Sequence, residues 1–214
     1  MSLTNGLIAI KGQHLGAIQD IVPAFRLVDN HKDQIVDNWD EIEHIINDLN
    51  RHSIGDYIET HVFWYSNGWT IMEDMSLAHC ADEEALEALS QKFDTPVFSL
   101  FTQGTSNCFG FMYFDKKKLR QFFVNDGTVE ENYGDPFTHE AKFSINEGAF
   151  YDDVHGVARG LGVDWIGAEK HDHFIVKDLD MEPSEIERIR PMVEKYQQEQ
   201  AALALMKKPW WKFW

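Results

Sequence analysis

Apolar side chains at Trp39, Ile42, Ile45, Ile46 and Leu49 recur at the spacing of one helix face, and Asp40, Glu41 and Glu43 fill the first turns, where the macrodipole favours acids. This predicts an amphipathic helix over residues 37–50. Residues 57–65 are rich in β-branched and aromatic side chains, and after Ser66-Asn67-Gly68 the run Trp69 to Met72 repeats that character. Asn-Gly reaches positive φ at low steric cost, so the segment reads as a β-hairpin. A second helix opens at Asp82-Glu83-Glu84, carries Ala85, Leu86, Leu89 and Phe93 as its stripe, and stops before Pro96.

Three strands are predicted next, over 96–102, 109–114 and 119–124. Their links, Asp115 to Lys118 and the turn Asn125-Asp126-Gly127, are too short for anything but antiparallel neighbours, so they form a meander. Residues 148–161 read as a helix weakened by Gly156 and Gly160, and 173–176 as one short strand. Ser184 to Glu187 matches a capping box before a helix with Ile186, Ile189, Val193 and Tyr196 on one face, which Pro191 is expected to kink. The first 35 residues show apolar clusters without a sustained period, and short strands or loops are expected there.

The predicted class is α+β: a mainly antiparallel sheet, hairpin plus meander, flanked by helices, with a C-terminal helix and an aromatic tail. Residues 1–196 form one domain. The Gln- and Ala-rich residues 197–214 form a helical extension ending in a Lys- and Trp-rich tail.

Charge narrows the function. The 36 acidic and 19 basic side chains give a formal net charge of -17, which repels nucleic-acid phosphate, and no basic patch interrupts the body of the chain. Cys80 and Cys108 are too few for a disulfide framework and read as free thiols, packing as small apolar groups. No apolar stretch approaches the roughly 18 residues that span a bilayer, and the opening residues lack a signal peptide's basic and apolar segments. A cytoplasmic location is the expectation.

The sequence carries no recognisable catalytic signature. No Gly-x-Ser-x-Gly elbow, phosphate-binding glycine loop or dinucleotide fingerprint occurs, and adjacent acids such as Asp152-Asp153 or Glu130-Glu131 are what so acidic a chain produces by abundance. No cofactor is expected. His171 and His173, two residues apart, would share a strand face, and with His139 and His155 they are the metal candidates, Glu140 and Asp153 being further donors. These would serve a metal-dependent hydrolase. At the carboxyl end Trp210, Trp211, Phe213 and Trp214 stand beside Lys207, Lys208 and Lys212, a composition suited to a partner interface, a second copy of the chain or a membrane surface.

Four phrases carry a resemblance: Trp69-Thr70-Ile71-Met72-Glu73-Asp74-Met75, the helix from Glu84 to Leu89-Ser90-Gln91-Lys92-Phe93, Thr95 to Thr102, and Phe109-Gly110-Phe111-Met112-Tyr113-Phe114-Asp115. Together, over residues 60–137, they resemble uncharacterised bacterial domains in which a Leu-Ser-x-x-Phe helix precedes strands meeting a Gly-x-x-Tyr-Phe hairpin. Some of those domains sit among immunity proteins of polymorphic toxin systems. The resemblance implies a non-enzymatic, immunity-like module that binds a protein, and complementary charge would make that partner basic.

Overall fold

In a computed structural model, which describes residues 4–49, 57–74, 76–140, 151–163, 171 and 173–206, nine strands form one sheet in the order β2-β9-β3-β4-β1-β5-β6-β7-β8. Every neighbouring pair is antiparallel. The α+β reading therefore holds. The tail residues 207–214, including Lys207, Lys208, Trp210, Trp211, Lys212, Phe213 and Trp214, lie outside the described residues, as do residues 148–150 at the start of the helix predicted over 148–161.

Strand β1 (Thr4–Lys11) runs through the middle of the sheet, between β4 (Trp69–Glu73) and β5 (Val97–Gln103). Leu7, Ile8, Ala9 and Ile10 are all buried, because both faces are covered. A strand buried on both sides loses the apolar-polar alternation, which is why the opening residues show no period. Short 3-10 and α turns follow over Leu15–Phe25, including α1 (Ile18–Ile21), and then β2 (Leu27–Val36) forms one sheet edge.

The predicted helix is α2 (Trp39–Leu49), whose Glu41 N–H is capped by Asn38 Oδ1 at 2.8 Å. The hairpin is β3 (Ile58–Ser66) and β4, turning at Asn67 and Gly68 with φ of 51° and 82°. Helix α3 (Glu83–Phe93) is capped by Asp82, which accepts from Ala85 N–H at 3.1 Å, a contact that contributes about 1 kcal/mol. The meander is β5, β6 (Cys108–Phe114) and β7 (Lys118–Asn125). It continues into a fourth strand, β8 (Thr128–Tyr133), which the pattern does not announce because all six of its side chains are exposed.

Helix α4 (Tyr151–Gly160) leads towards β9 (Phe174–Met181), longer than predicted, and α5 (Pro183–Met206) is continuous through position 196 with Pro191 inside it. The expected Ser184 cap is replaced. Pro183 takes the first helical position, where its missing N–H costs nothing, and the Glu182 carbonyl accepts from Glu185 and Ile186 N–H. Among the described residues no helix is long and apolar enough to cross a membrane.

The sheet has an apolar core on each face. One gathers Leu7, Trp64, Ile71, Phe98, Phe111 and Phe122 beneath Ile42 of α2 and Val154, Val157 and Ala158 of α4. The other gathers Ile8, Ile10, Phe63, Met72 and Phe114 beneath the Leu15–Phe25 turns and Leu86 and Leu89 of α3. Each fully buried Phe or Leu contributes about 2 kcal/mol over an exposed one.

At the far edge an ion pair is buried. Arg120 of β7, 1% exposed, meets both oxygens of Glu140 at 2.9 and 2.7 Å. Its Nη1 donates to the Gln121 and Tyr133 carbonyls and to Asn132 Oδ1 at 2.8–2.9 Å, and the Phe111 and Phe122 rings flank it. Gly134 makes this corner with φ of 81°, where a Cβ would stand 1.9 Å from the Leu119 carbonyl oxygen. Gly134→Ala is therefore expected to cost more than the roughly 1–3 kcal/mol of backbone strain alone, read as a lower midpoint in urea unfolding.

Candidate functional site

Side chains alternate along β3, so Val62 and Trp64 enter the core under α2 while Phe63 enters the opposite one. Glu59 and His61 share the Phe63 face. His61 is 2% exposed and stands opposite Lys177 of β9. That lysine turns to Asp29 and Asp33 of β2, at 2.8 and 2.5 Å, and so supplies the neighbouring positive charge to carboxylates of its own.

The third member comes from the loop between β4 and α3. Its organiser is Asp74, fully buried, whose Oδ2 accepts from the His79 and Cys80 N–H groups at 2.8 Å each. Its Oδ1 accepts from Ser76 N–H at 3.2 Å and Ser76 Oγ at 2.6 Å, and its own N–H donates to the Gly6 carbonyl at 2.8 Å. The Asp74 carboxylate thus winds the loop, and its backbone N–H ties the loop to β1. Asp82, at the loop's end, caps α3 and pairs with Arg26 at 3.0 Å. The outcome is that His79 lies against β3.

Glu59 Oε2 is 2.6 Å from His79 Nε2 and 3.1 Å from His61 Nε2. His61 Nδ1 lies 2.8 Å from the Glu73 carbonyl oxygen, which only accepts, so this nitrogen carries the proton. The two imidazoles tilt together at 5.4 Å, and Phe25 backs His79 at 5.1 Å. Side-chain exposures of 2% for His61, 11% for His79 and 19% for Glu59 leave one approach from solvent, past the last two.

Burial pushes the Glu59 carboxyl up, but the hydrogen bonds and charge of His61 and His79 outweigh it and hold the group well below the usual range. Burial likewise presses the His79 pKa down, and the Glu59 hydrogen bond and charge, with Asp74 and Asp82 behind them, lift it above its ordinary value. Two imidazoles and a carboxylate converging in this way hold a shared proton or a cation. Around them, burial and then the Asp74 charge push the Glu73 carboxyl to about 7 and the Cys80 thiol well up. Cys80 is a buried, weakly nucleophilic thiol, while Cys108 is half-buried.

The histidines singled out in the sequence lie elsewhere. His139 is half-buried, its ring against Gly160 of α4. His155 is buried within α4, where burial and then Arg159 lower its pKa. His171 is half-buried and His173 largely exposed, 3.6 Å from Asp37; both precede β9 and so do not alternate on a strand. Glu140 gives both oxygens to Arg120. Among the described residues, the group of three donors lying within 4.8 Å of one another is Glu59, His61 and His79, and it includes none of these four histidines.

Further along the triad's face, the cover ends. Helix α3 packs on β5 and β6, and beyond it Ala81, Phe101, Met112, Gln121 and Phe123 line a groove. The Phe101 and Phe123 rings meet at 5.5 Å across Gly110, both half-buried, and β8 borders them with Glu131 paired to Phe123. The chain matches no protein-family model, no curated protein and no solved structure, so its own side chains carry the functional reading.

Proposed function

We propose that the chain is a non-catalytic binding protein whose partner is a basic protein, in the manner of an immunity protein. The observation that carries this is the uncovered end of the sheet, where the Phe101–Phe123 groove runs into the exposed acidic strand β8. An apolar anchor beside acids is a suitable seat for a partner that presents an apolar side chain among lysines or arginines. The net charge of -17 adds a long-range field that speeds such an encounter. A cytoplasmic setting suits the two free thiols.

Edge strand β8 is guarded against self-pairing by Glu130 and Glu131 and by the irregular register between Phe123 and Val124. A basic partner relieves that repulsion, whereas a second copy doubles it. The test is capture from host lysate with the full chain and with a Glu130→Lys, Glu131→Lys variant. The wild type is expected to retain one basic polypeptide, released by salt, and the variant to lose it. Equal retention by both, or a stable homodimer that occupies this edge, would refute the reading.

A further inference from the structure

We propose that Glu59, His61 and His79 form a site for one divalent cation of the zinc class. Because the Nδ1–H of His61 is committed to the Glu73 carbonyl, Nε2 is the ring nitrogen left for a ligand, and it faces Glu59 Oε2 at 3.1 Å. A carboxylate oxygen and an imidazole nitrogen at this distance share a positive centre, a proton on the nitrogen or a metal ion in its place. His79 Nε2 brings a third donor to the same carboxylate oxygen.

The arrangement around the donors is that of a metal site. A ligating imidazole characteristically donates its second N–H to a carbonyl or carboxylate, which fixes the ring and the free lone pair, and His61 does this inside a central strand. His79 is set from the other side by the loop wound on Asp74. Bonds of about 2.0–2.1 Å to a tetrahedral ion put neighbouring donors about 3.3 Å apart. The His61–Glu59 separation of 3.1 Å already matches, and the 2.6 Å of His79–Glu59 opens by a small turn of the half-buried carboxylate.

Donor chemistry selects the ion. Two imidazole nitrogens with one carboxylate suit zinc, cobalt or nickel, whereas calcium and magnesium demand oxygen. Three protein donors leave a fourth position to water. The other charged groups facing the cluster are carboxylates or paired: Asp74 and Asp82 from the loop, Glu185 from the start of α5 with its partner Arg188, Arg26 paired to Asp82, and Lys177 paired to Asp29 and Asp33. The local field therefore favours a cation. Once bound, it joins β3 to the β4–α3 loop.

The test uses the full chain, stripped with chelator and titrated with zinc chloride by calorimetry, and with cobalt chloride by visible absorption. One zinc per chain and the d–d bands of a nitrogen- and oxygen-ligated tetrahedral cobalt are expected. His79→Gln and Glu59→Gln, each checked for retained fold by circular dichroism, should weaken binding at least about 100-fold, beyond the effect of losing an outer partner. His173→Gln, remote and exposed, should not. Absence of stoichiometric binding to the wild type, or affinity unchanged in both folded triad variants, would overturn the proposal.

Discussion

Replacing Arg120 with methionine is expected to cost about 3–5 kcal/mol of folding free energy, measured by urea unfolding, the range for removing one member of a buried ion pair. The guanidinium donates to Glu140, to Asn132 Oδ1 and to the Gln121 and Tyr133 carbonyls. Without it the Glu140 carboxylate, 4% exposed, keeps the Phe137 N–H as its described partner. The double variant Arg120→Met, Glu140→Leu removes both desolvated charges and should recover most of the loss. Faster hydrogen exchange in β8 should accompany the single change, since Arg120 holds two of that strand's residues. A single variant within about 1 kcal/mol of wild type would contradict the role assigned to the pair.

The second large effect concerns Glu73, whose buried carboxyl is pushed to about 7 from an ordinary 4.5, by burial first and then by Asp74. Its Oε2 has no hydrogen-bond partner among the described residues. A raised acid binds its proton more tightly when folded. Below pH 4.5 both states are protonated and nothing is lost; between 4.5 and 7 the unfolded chain ionises first, so stability falls as pH rises and levels off above 7. The full cost is about 3 kcal/mol. Glu73→Gln cannot ionise, so its stability relative to wild type should rise by about that amount between pH 4 and pH 8 in parallel denaturation series. A wild-type-to-variant difference that stays flat with pH would show the carboxyl to be ionised without penalty.

What the sequence revealed was whatever local chemistry determines. Asn67-Gly68 specifies a hairpin turn by φ alone, Asp82 caps α3 at the expected place, and the α2 stripe buries Ile42 as its period requires. Strands escaped where pattern is absent, β1 because both faces are apolar and β8 because both are wet. The candidate site was half visible. Glu59 and His61 pass the same two-residue alternation test that drew attention to His171 and His173, and they lie on a real strand. The third donor was not legible, because His79 is placed by Asp74 and by the pairing of β1 with β4, which no spacing in the chain encodes.

The order of the strands also bears on how the molecule is made. Strand β9 fits between β2 and β3, so a nascent chain emerging from the ribosome carries both of those strands with bare flanks until residues 174–181 arrive. The β2 and β3 flanks are then open to pairing with other polypeptides until β9 is made, an interval of aggregation risk that this topology builds into synthesis.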